Sequence, residues 1–177
     1  MKKLSLIILL LGTTLAAAAQ TKNTVTRSSV TYQIKNMGFT TDGKFGPVEA
    51  TILFDKAHLA TSSIDALVAV KTLDSDNEGR DEHLRKPDFF DVDHYPNMTM
   101  KSVSLKPKGG NNFTGDFDLT IKGKTKRITV PFTYVVKGNT ATFAGTFKIN
   151  RLDFGVGDTS VVLSNEVTVF LNVEVSI

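Results

Sequence analysis

The chain contains no cysteine and no tryptophan, and only 5 of its 177 residues are proline. Without cysteine it has no disulfide bond, no thiol nucleophile and no residue to carry a lipoprotein anchor. Burial of apolar side chains must therefore stabilise the fold by itself. The hydrophobic share of 41% and the charged share of 22% are typical of a globular protein, and the length favours a single domain.

The sequence also has little net charge. Its 21 Lys and Arg residues stand against 18 Asp and Glu residues, and Lys2 and Lys3 belong to a segment that we expect to be removed. The balance is then 19 to 18. A nucleic-acid-binding surface needs clustered Lys and Arg to neutralise phosphates, so nucleic acid is excluded as a partner.

Residues 1–19 have the pattern of a secretory signal peptide. Lys2 and Lys3 precede an apolar run at 4–11, and three alanines at 17–19 form a small-residue cleavage site. We expect cleavage before Gln20 and a mature domain at 20–177 that is periplasmic or secreted. The apolar run is shorter than the roughly 20 residues that span a bilayer, so no stable membrane anchor is expected.

Beyond the leader, apolar and polar residues alternate along most of the chain, as in strands with one buried face. Eight segments have this pattern, at 30–34, 48–54, 64–70, 98–100, 113–121, 128–134, 141–149 and 167–175. Glycine-containing stretches at 108–111, 122–124 and 137–139 predict hairpin turns, which make neighbouring strands antiparallel. Because several strands run for about ten residues, we predict an all-β fold, an eight-stranded antiparallel lipocalin-like barrel rather than a sandwich.

Residues 74–96 interrupt the alternation with a dense mixture of charged and aromatic side chains. Residues 79–86 are compatible with a short helical insertion that Pro87 ends. Connections of this length between strands are usually functional lids or packed caps.

This segment also contains a candidate metal-binding or hydrolytic cluster. His83, Asp91, Asp93 and His94 combine imidazole and carboxylate groups, but their spacing fits no ligand template. The chain has no G-x-S-x-G motif and no glycine-rich phosphate loop before a helix. We therefore predict a protein that is not an enzyme and needs no metal or cofactor, with a metal-dependent or hydrolytic protein as the alternative.

The face of the strands that points into the predicted barrel is apolar or aromatic, without charge. An eight-stranded barrel is either filled by such side chains or holds one small ligand. Small residues such as Ala50, Ala66 and Gly145 either mark bends or leave room for an apolar tail. The residues predicted to contact a ligand inside the barrel are Tyr32, Ile34, Phe54, Val70, Met98, Met100, Phe117, Phe132, Tyr134, Phe143, Gly145 and Phe147.

Several sequence blocks, in this order and spacing, resemble the YceI-like family over essentially the whole mature chain. The blocks are GKF at 43–45, ILFD at 52–55, RDEHL at 80–84, DFFDV at 88–92 with YP at 95–96, LTIKG at 119–123, and NRLDFGV at 150–156. The resemblance implies an exported, lipocalin-like barrel that binds long-chain amphiphiles, notably polyisoprenoids and isoprenoid quinones. It also implies a short helical element beside the barrel.

In such a barrel, residues of the 80–96 segment are expected to form the cap or rim of the cavity. Phe89 and Phe90 are predicted to cap the cavity or to plug the barrel. Arg151 with Asp153 is expected to form a fixed internal ion pair or a cap contact, with a structural role. The remaining rim candidates, which would select a head group, are Arg80, His83, Arg85 and His94. The function predicted from the sequence is sequestration or transport of a long-chain isoprenoid, an isoprenoid quinone or a similar amphiphile. A filled-barrel stress or interaction protein is a further alternative.

Overall fold

The computed structural model describes residues 22–177, so the predicted signal peptide at 1–19 lies outside the described residues. Nine strands form a single antiparallel sheet that curls on itself. They are β1 (Thr24–Asn36), β2 (Phe39–Phe45), β3 (Glu49–Leu53), β4 (Ser63–Ala69), β5 (Asn97–Gly109), β6 (Asn112–Ile121), β7 (Lys124–Lys137), β8 (Thr140–Asn150) and β9 (Leu163–Ser176). The order across the sheet is β2-β1-β9-β8-β7-β6-β5-β4-β3.

The predicted all-β, lipocalin-like class is confirmed, but the strand count of eight is wrong by one. The additional strand is β2, which forms a hairpin with β1 and pairs Val30 with Phe45 and Tyr32 with Gly43. Two inward positions of this strand hold Thr41 and Gly43, so the apolar alternation that marks the other strands is absent. The predicted 64–70 strand also ends one residue early, at Ala69.

Short turns join β5 to β6, β6 to β7 and β7 to β8, as the glycine pattern predicts. Gly109 and Gly110 have φ angles of 99° and 58° and Gly138 has 61°, a left-handed backbone that residues with a Cβ rarely adopt. In β6, buried and half-buried residues alternate strictly, so one face of this strand packs in the core.

The two edges of the sheet meet without a continuous ladder between β2 and β3 among the described residues. The backbone N–H of Asn23 donates to the carbonyl oxygen of Ile52 at 2.9 Å, and that of Val48 donates to Ser28 Oγ at 2.8 Å. The chain around Asp74 adds a reciprocal pair of backbone hydrogen bonds with Lys44. The curled sheet is thus closed by isolated hydrogen bonds.

The predicted helical insertion is confirmed as α1 (Glu78–Leu84), the only α-helix of the described chain. Asn77 caps it, because its side-chain oxygen accepts a hydrogen bond from the backbone N–H of Arg80 at 2.9 Å. The insertion lies at the end of the barrel where β4 ends and β5 begins.

An apolar cavity as the candidate ligand-binding site

One end of the barrel is filled by a cluster of five aromatic rings, which we call the aromatic floor. Its members are Phe54, Phe113, Phe132, Tyr134 and Phe143. The Phe54 ring lies 4.7 Å from Tyr134 and 5.2 Å from Phe143, and Phe113 stacks on Phe132 at 5.6 Å. All five are at most 9% exposed, so water is excluded from this end.

Above the floor lies a cavity of about 390 Å³, in the range of small-molecule binding sites. Its walls are built almost entirely from the inward apolar side chains of the strands. Nine of the residues predicted from the sequence to contact a ligand line it: Tyr32, Ile34, Met98, Met100, Phe117, Phe132, Phe143, Gly145 and Phe147. The structure thus contains the internal space that a filled barrel would lack; whether these residues contact a lipid stays a prediction.

Three residues predicted to contact the ligand do not line the cavity. Phe54 and Tyr134 point inward but lie in the aromatic floor. Val70 begins a 3-10 turn after β4, and its N–H donates to the carbonyl oxygen of Pro96 at 2.8 Å. Because the chain turns at this point, Val70 is buried at 1% exposure without bordering the cavity.

Gly145 borders the cavity, yet its missing side chain does not leave space for a tail. A Cβ at this position would lie 3.1 Å from the carbonyl oxygen of Pro131 and 3.4 Å from Phe132 Cβ. The glycine therefore allows the backbones of β7 and β8 to approach closely.

The cap segment (74–96) covers the other end of the barrel. Arg80, His83, Phe89 and Phe90 line the cavity, as predicted for cap residues. The Phe90 ring meets Phe45 of β2 edge-on at 6.0 Å, and Phe89 meets the His83 ring at 4.9 Å. The contact between Phe90 and Phe45 joins the cap to the β1–β2 hairpin.

Two residues predicted for the rim do not border the cavity. His94 is largely exposed, and its Nδ1 donates to Asp91 Oδ1 at 2.7 Å, which raises the pKa of the imidazole. Arg85 turns away from the cavity, and its Nη2 donates to the carbonyl oxygen of Leu73 at 2.8 Å. Arg85 thus holds the segment that leads into the cap.

Polar groups are few on the cavity surface, and hydrogen bonds to residues outside the cavity hold Arg80 in place. Arg80 Nε donates to Ser75 Oγ at 2.8 Å, while Asp81, buried in α1, accepts from the Ser75 N–H at 3.0 Å. Burial raises the pKa of Tyr32 to about 12, an effect that the nearby Arg80 charge opposes. Tyr32 therefore presents a neutral phenol, and Arg80 a positioned cation, to the cavity.

Arg151 stabilises the loop before β9 through backbone acceptors that the sequence did not indicate. The ion pair predicted with Asp153 is not formed. Arg151 is 4% exposed and donates to the carbonyl oxygens of Ser164, Val156 and Asp158 at 2.8 to 2.9 Å. Burial lowers the pKa of its guanidinium, but the carbonyl acceptors satisfy its N–H groups.

The histidine and carboxylate cluster proposed from the sequence does not converge. His83 Nε2 donates to Asp88 at 2.8 Å, whereas His94 pairs with Asp91. Within residues 22–177, no group of three or more His, Asp or Glu side chains is placed to hold a metal ion. The same part of the chain contains no helix that is both long and apolar enough to cross a membrane.

Comparison with known proteins assigns this architecture to a family. Residues 22–175, which span every strand from β1 to nearly the end of β9, match the model of the YceI-like domain. The chain belongs to the YceI-like family. The family predicted from the sequence blocks is thereby confirmed.

Relatives of this YceI-like protein occur in several bacteria. A UPF0312 protein of Vibrio cholerae serotype O1 is 31% identical over 136 residues, covering 73% of this chain and 72% of its own. The crystal structure of BcnA from Burkholderia cenocepacia has a TM-score of 0.80 and 32% identity, and the match covers 83% of this chain and 95% of that one.

A polyisoprenoid binding domain from Saccharophagus degradans, implicated in plant cell wall breakdown, has a TM-score of 0.67 at 12% identity. The match covers 88% of the YceI-like chain described here and 97% of that domain. At this identity the likeness concerns the fold alone.

Proposed function

We propose that this protein binds one long-chain apolar molecule in its barrel, for sequestration or transport, and does not catalyse a reaction. The observation that carries the proposal is the cavity of about 390 Å³, with apolar walls between the aromatic floor and the cap segment. Burial of apolar surface supplies about 25 cal/mol per Å², so a tail needs no specific polar contact to bind.

The shape of the site supports a chain-like ligand. The cavity is lined by floor residues such as Phe132 and Phe143 and by cap residues such as Phe89 and Phe90, so it extends along the barrel axis. We infer that its ligand is a polyisoprenoid, an isoprenoid quinone or a similar amphiphile. The polyisoprenoid-binding neighbour with the same fold supports this class of ligand.

Head-group selection is proposed for the polar residues that border the cavity. Arg80, His83 and Tyr32 lie on its surface, where the first offers a cation and the last a neutral hydroxyl. These groups fit a head group with oxygen acceptors, while the remainder of the wall fits the tail.

We further propose that the protein works outside the cytoplasm, after cleavage before Gln20. The support is the sequence of residues 1–19. Intact-mass measurement of the protein recovered from its host should give a chain that begins at or within two residues of Gln20. A chain that still carries the apolar run at 4–11 would overturn the proposed location.

The ligand proposal is tested by extracting protein purified from its host and identifying the lipids by mass spectrometry. We expect a long-chain isoprenoid in a stoichiometric amount. A paired preparation of Met100→Asp, which places a charge on the cavity wall, should contain little of it, while Val103→Asp on the exposed outer face of the same strand should retain it. Wild-type protein free of lipid, or equal lipid in all three preparations, would refute an internal site.

A further inference from the structure

Four large apolar side chains are exposed together at the cap end of the barrel. Met37, in the turn between β1 and β2, and Phe39, the first residue of β2, are 70% and 78% exposed. Val161 and Val162, just before β9, are 104% and 49% exposed. The Met37 N–H donates to the carbonyl oxygen of Val162 at 2.8 Å, so the two segments adjoin. We call these four residues the apolar tip.

The apolar tip also lacks charge. Residues 36–41 (NMGFTT) and 159–165 (TSVVLSN) contain no Asp, Glu, Lys or Arg, although 22% of the chain is charged. Exposed apolar side chains that occur singly are normal on a protein surface, whereas a contiguous group marks an interaction site. We therefore expect the tip to be an interaction site for an apolar surface.

The tip continues into the cavity wall. Ile34, Asn36 and Thr41 of the same hairpin line the cavity, and so does Leu163, which directly follows Val162. A surface that covers the tip therefore lies beside the groups that border the cavity.

We propose that the apolar tip inserts into the interface of a lipid bilayer and brings the cavity to the membrane that holds its ligand. This inference rests on the proposed function, because a long-chain isoprenoid resides in bilayers. Amphipathic surfaces bind the interface by burying apolar side chains about 5 to 10 Å deep. Two adjoining turns that carry Met, Phe and Val side chains are suited to this.

The size of the tip favours a bilayer over a protein partner. A stable protein interface buries about 800 Å² on each partner, from some 20 to 30 residues. The tip offers four large side chains on two short segments, which is too little for such an interface. A bilayer needs no matching shape or hydrogen-bond pattern, so a small apolar surface is sufficient.

The test is flotation of the protein with vesicles of phosphatidylethanolamine and phosphatidylglycerol, at low and at high salt. We expect wild-type protein to float with the vesicles at both, because the tip is uncharged and screening leaves apolar insertion intact. The Phe39→Ser/Val161→Ser variant should bind at least about tenfold more weakly, since it loses two of the four apolar side chains.

The matched control is Phe170→Ser/Val135→Ser, which removes one aromatic and one valine side chain from the outer face of the barrel. Phe170 and Val135 are 36% and 44% exposed and lie in β9 and β7. The control should float as the wild type does. Equal loss in both variants, flotation that disappears at high salt, or no flotation of the wild type would overturn the proposal.

The lipid content of each preparation, measured by extraction, separates this inference from the proposed function. Wild-type protein that carries an isoprenoid but does not float refutes the tip and leaves the cavity proposal standing. Wild-type protein that floats through the tip without any extractable lipid refutes the cavity proposal instead. Concentration-dependent dimers that depend on Phe39 and Val161, without flotation, would assign the tip to a second copy of the chain and overturn the membrane role.

Discussion

The cavity should accept extra carbon atoms at Ala66. Ala66 lies on β4, opposite Ala50 of β3 and Met100 of β5, and both alanines line the cavity. The Ala66→Leu change adds three carbon atoms on the inner face. Gly145 is a poor site for the same experiment, because its added Cβ would meet the backbone of β7.

The expected magnitudes follow from the empty space. If the three carbons enter the cavity, burial of each contributes about 0.8 kcal/mol. The free energy of unfolding of the lipid-free protein should then rise by up to about 2.4 kcal/mol. In a filled core the same change would cost about 1 to 3 kcal/mol through overpacking. The sign of the change thus distinguishes a cavity from a packed interior.

Ligand binding should change in the opposite direction. Three displaced tail carbons cost about 2.4 kcal/mol, which weakens binding roughly 50-fold. The assay combines urea denaturation of the delipidated protein with calorimetric titration by the isoprenoid alcohol farnesol. Ala60→Leu, at an exposed position in the 3-10 turn Leu59–Thr61, is the control and should leave both quantities nearly unchanged. A destabilised Ala66→Leu protein that binds farnesol as the wild type does would refute the reasoning.

Three further predictions concern stability. Burial raises the pKa of Tyr32 from 10.0 to about 12, so the unfolded chain loses this proton at a lower pH than the folded protein does. The free energy of unfolding should therefore fall by about 2 to 3 kcal/mol as the pH rises from 10 to 12. In urea denaturation at a series of pH values, the Tyr32→Phe variant should not show this fall in its free energy of unfolding. An equal fall in the wild type and the variant would contradict the burial of the Tyr32 hydroxyl. Arg151→Met should lower the free energy of unfolding by about 3 kcal/mol or more, because it leaves several buried carbonyl oxygens without donors; a change below 1 kcal/mol in urea would count against that network. EDTA should leave the melting temperature unchanged, and a drop of several degrees that one divalent ion reverses would restore the metal hypothesis.

The parts of the fold that could be predicted are those with a local signal. In β6 the inward Phe113, Phe117 and Leu119 alternate with polar residues, so the strand and its buried face follow from a period of two. The turns at 109–110 and 138 need positive φ angles, which glycine indicates directly. Both signals depend on a few consecutive residues and on no distant partner.

Strand β2 was not predicted because a side chain of the neighbouring strand β1 covers its inner face. A Cβ on Gly43 would lie 2.3 Å from Tyr32 Cζ, so the Tyr32 ring occupies the space where a side chain of β2 would be. Tyr32 and Gly43 are partners across the β1–β2 ladder. The apolar group that covers this part of β2 therefore belongs to β1, and no alternation appears in the sequence of β2 itself.

The sequence predicted which side chains point into the barrel, but not where along the barrel axis each of them lies. Alternation correctly turns Phe54 and Tyr134 inward, yet it cannot distinguish the aromatic floor from the cavity wall, since both lie on the same face. The partners of Arg151 were missed for a related reason. Every residue has a backbone carbonyl. The sequence therefore does not indicate that Arg151 donates to the carbonyl oxygens of Ser164 and Val156 instead of the Asp153 carboxylate.

The order of the strands has a consequence for how the chain folds. Every ladder joins strands that are consecutive in sequence, with one exception: β1 pairs with β9, from Thr24 opposite Ser176 to Asn36 opposite Leu163. The hairpins between consecutive strands need only neighbouring residues, but β1 finds its second partner only when β9 is present. Closing a loop of this length is entropically costly and slow. Until then the chain has an unpaired edge on β1 and an uncovered apolar interior, which is the interval in which the protein is most exposed to aggregation.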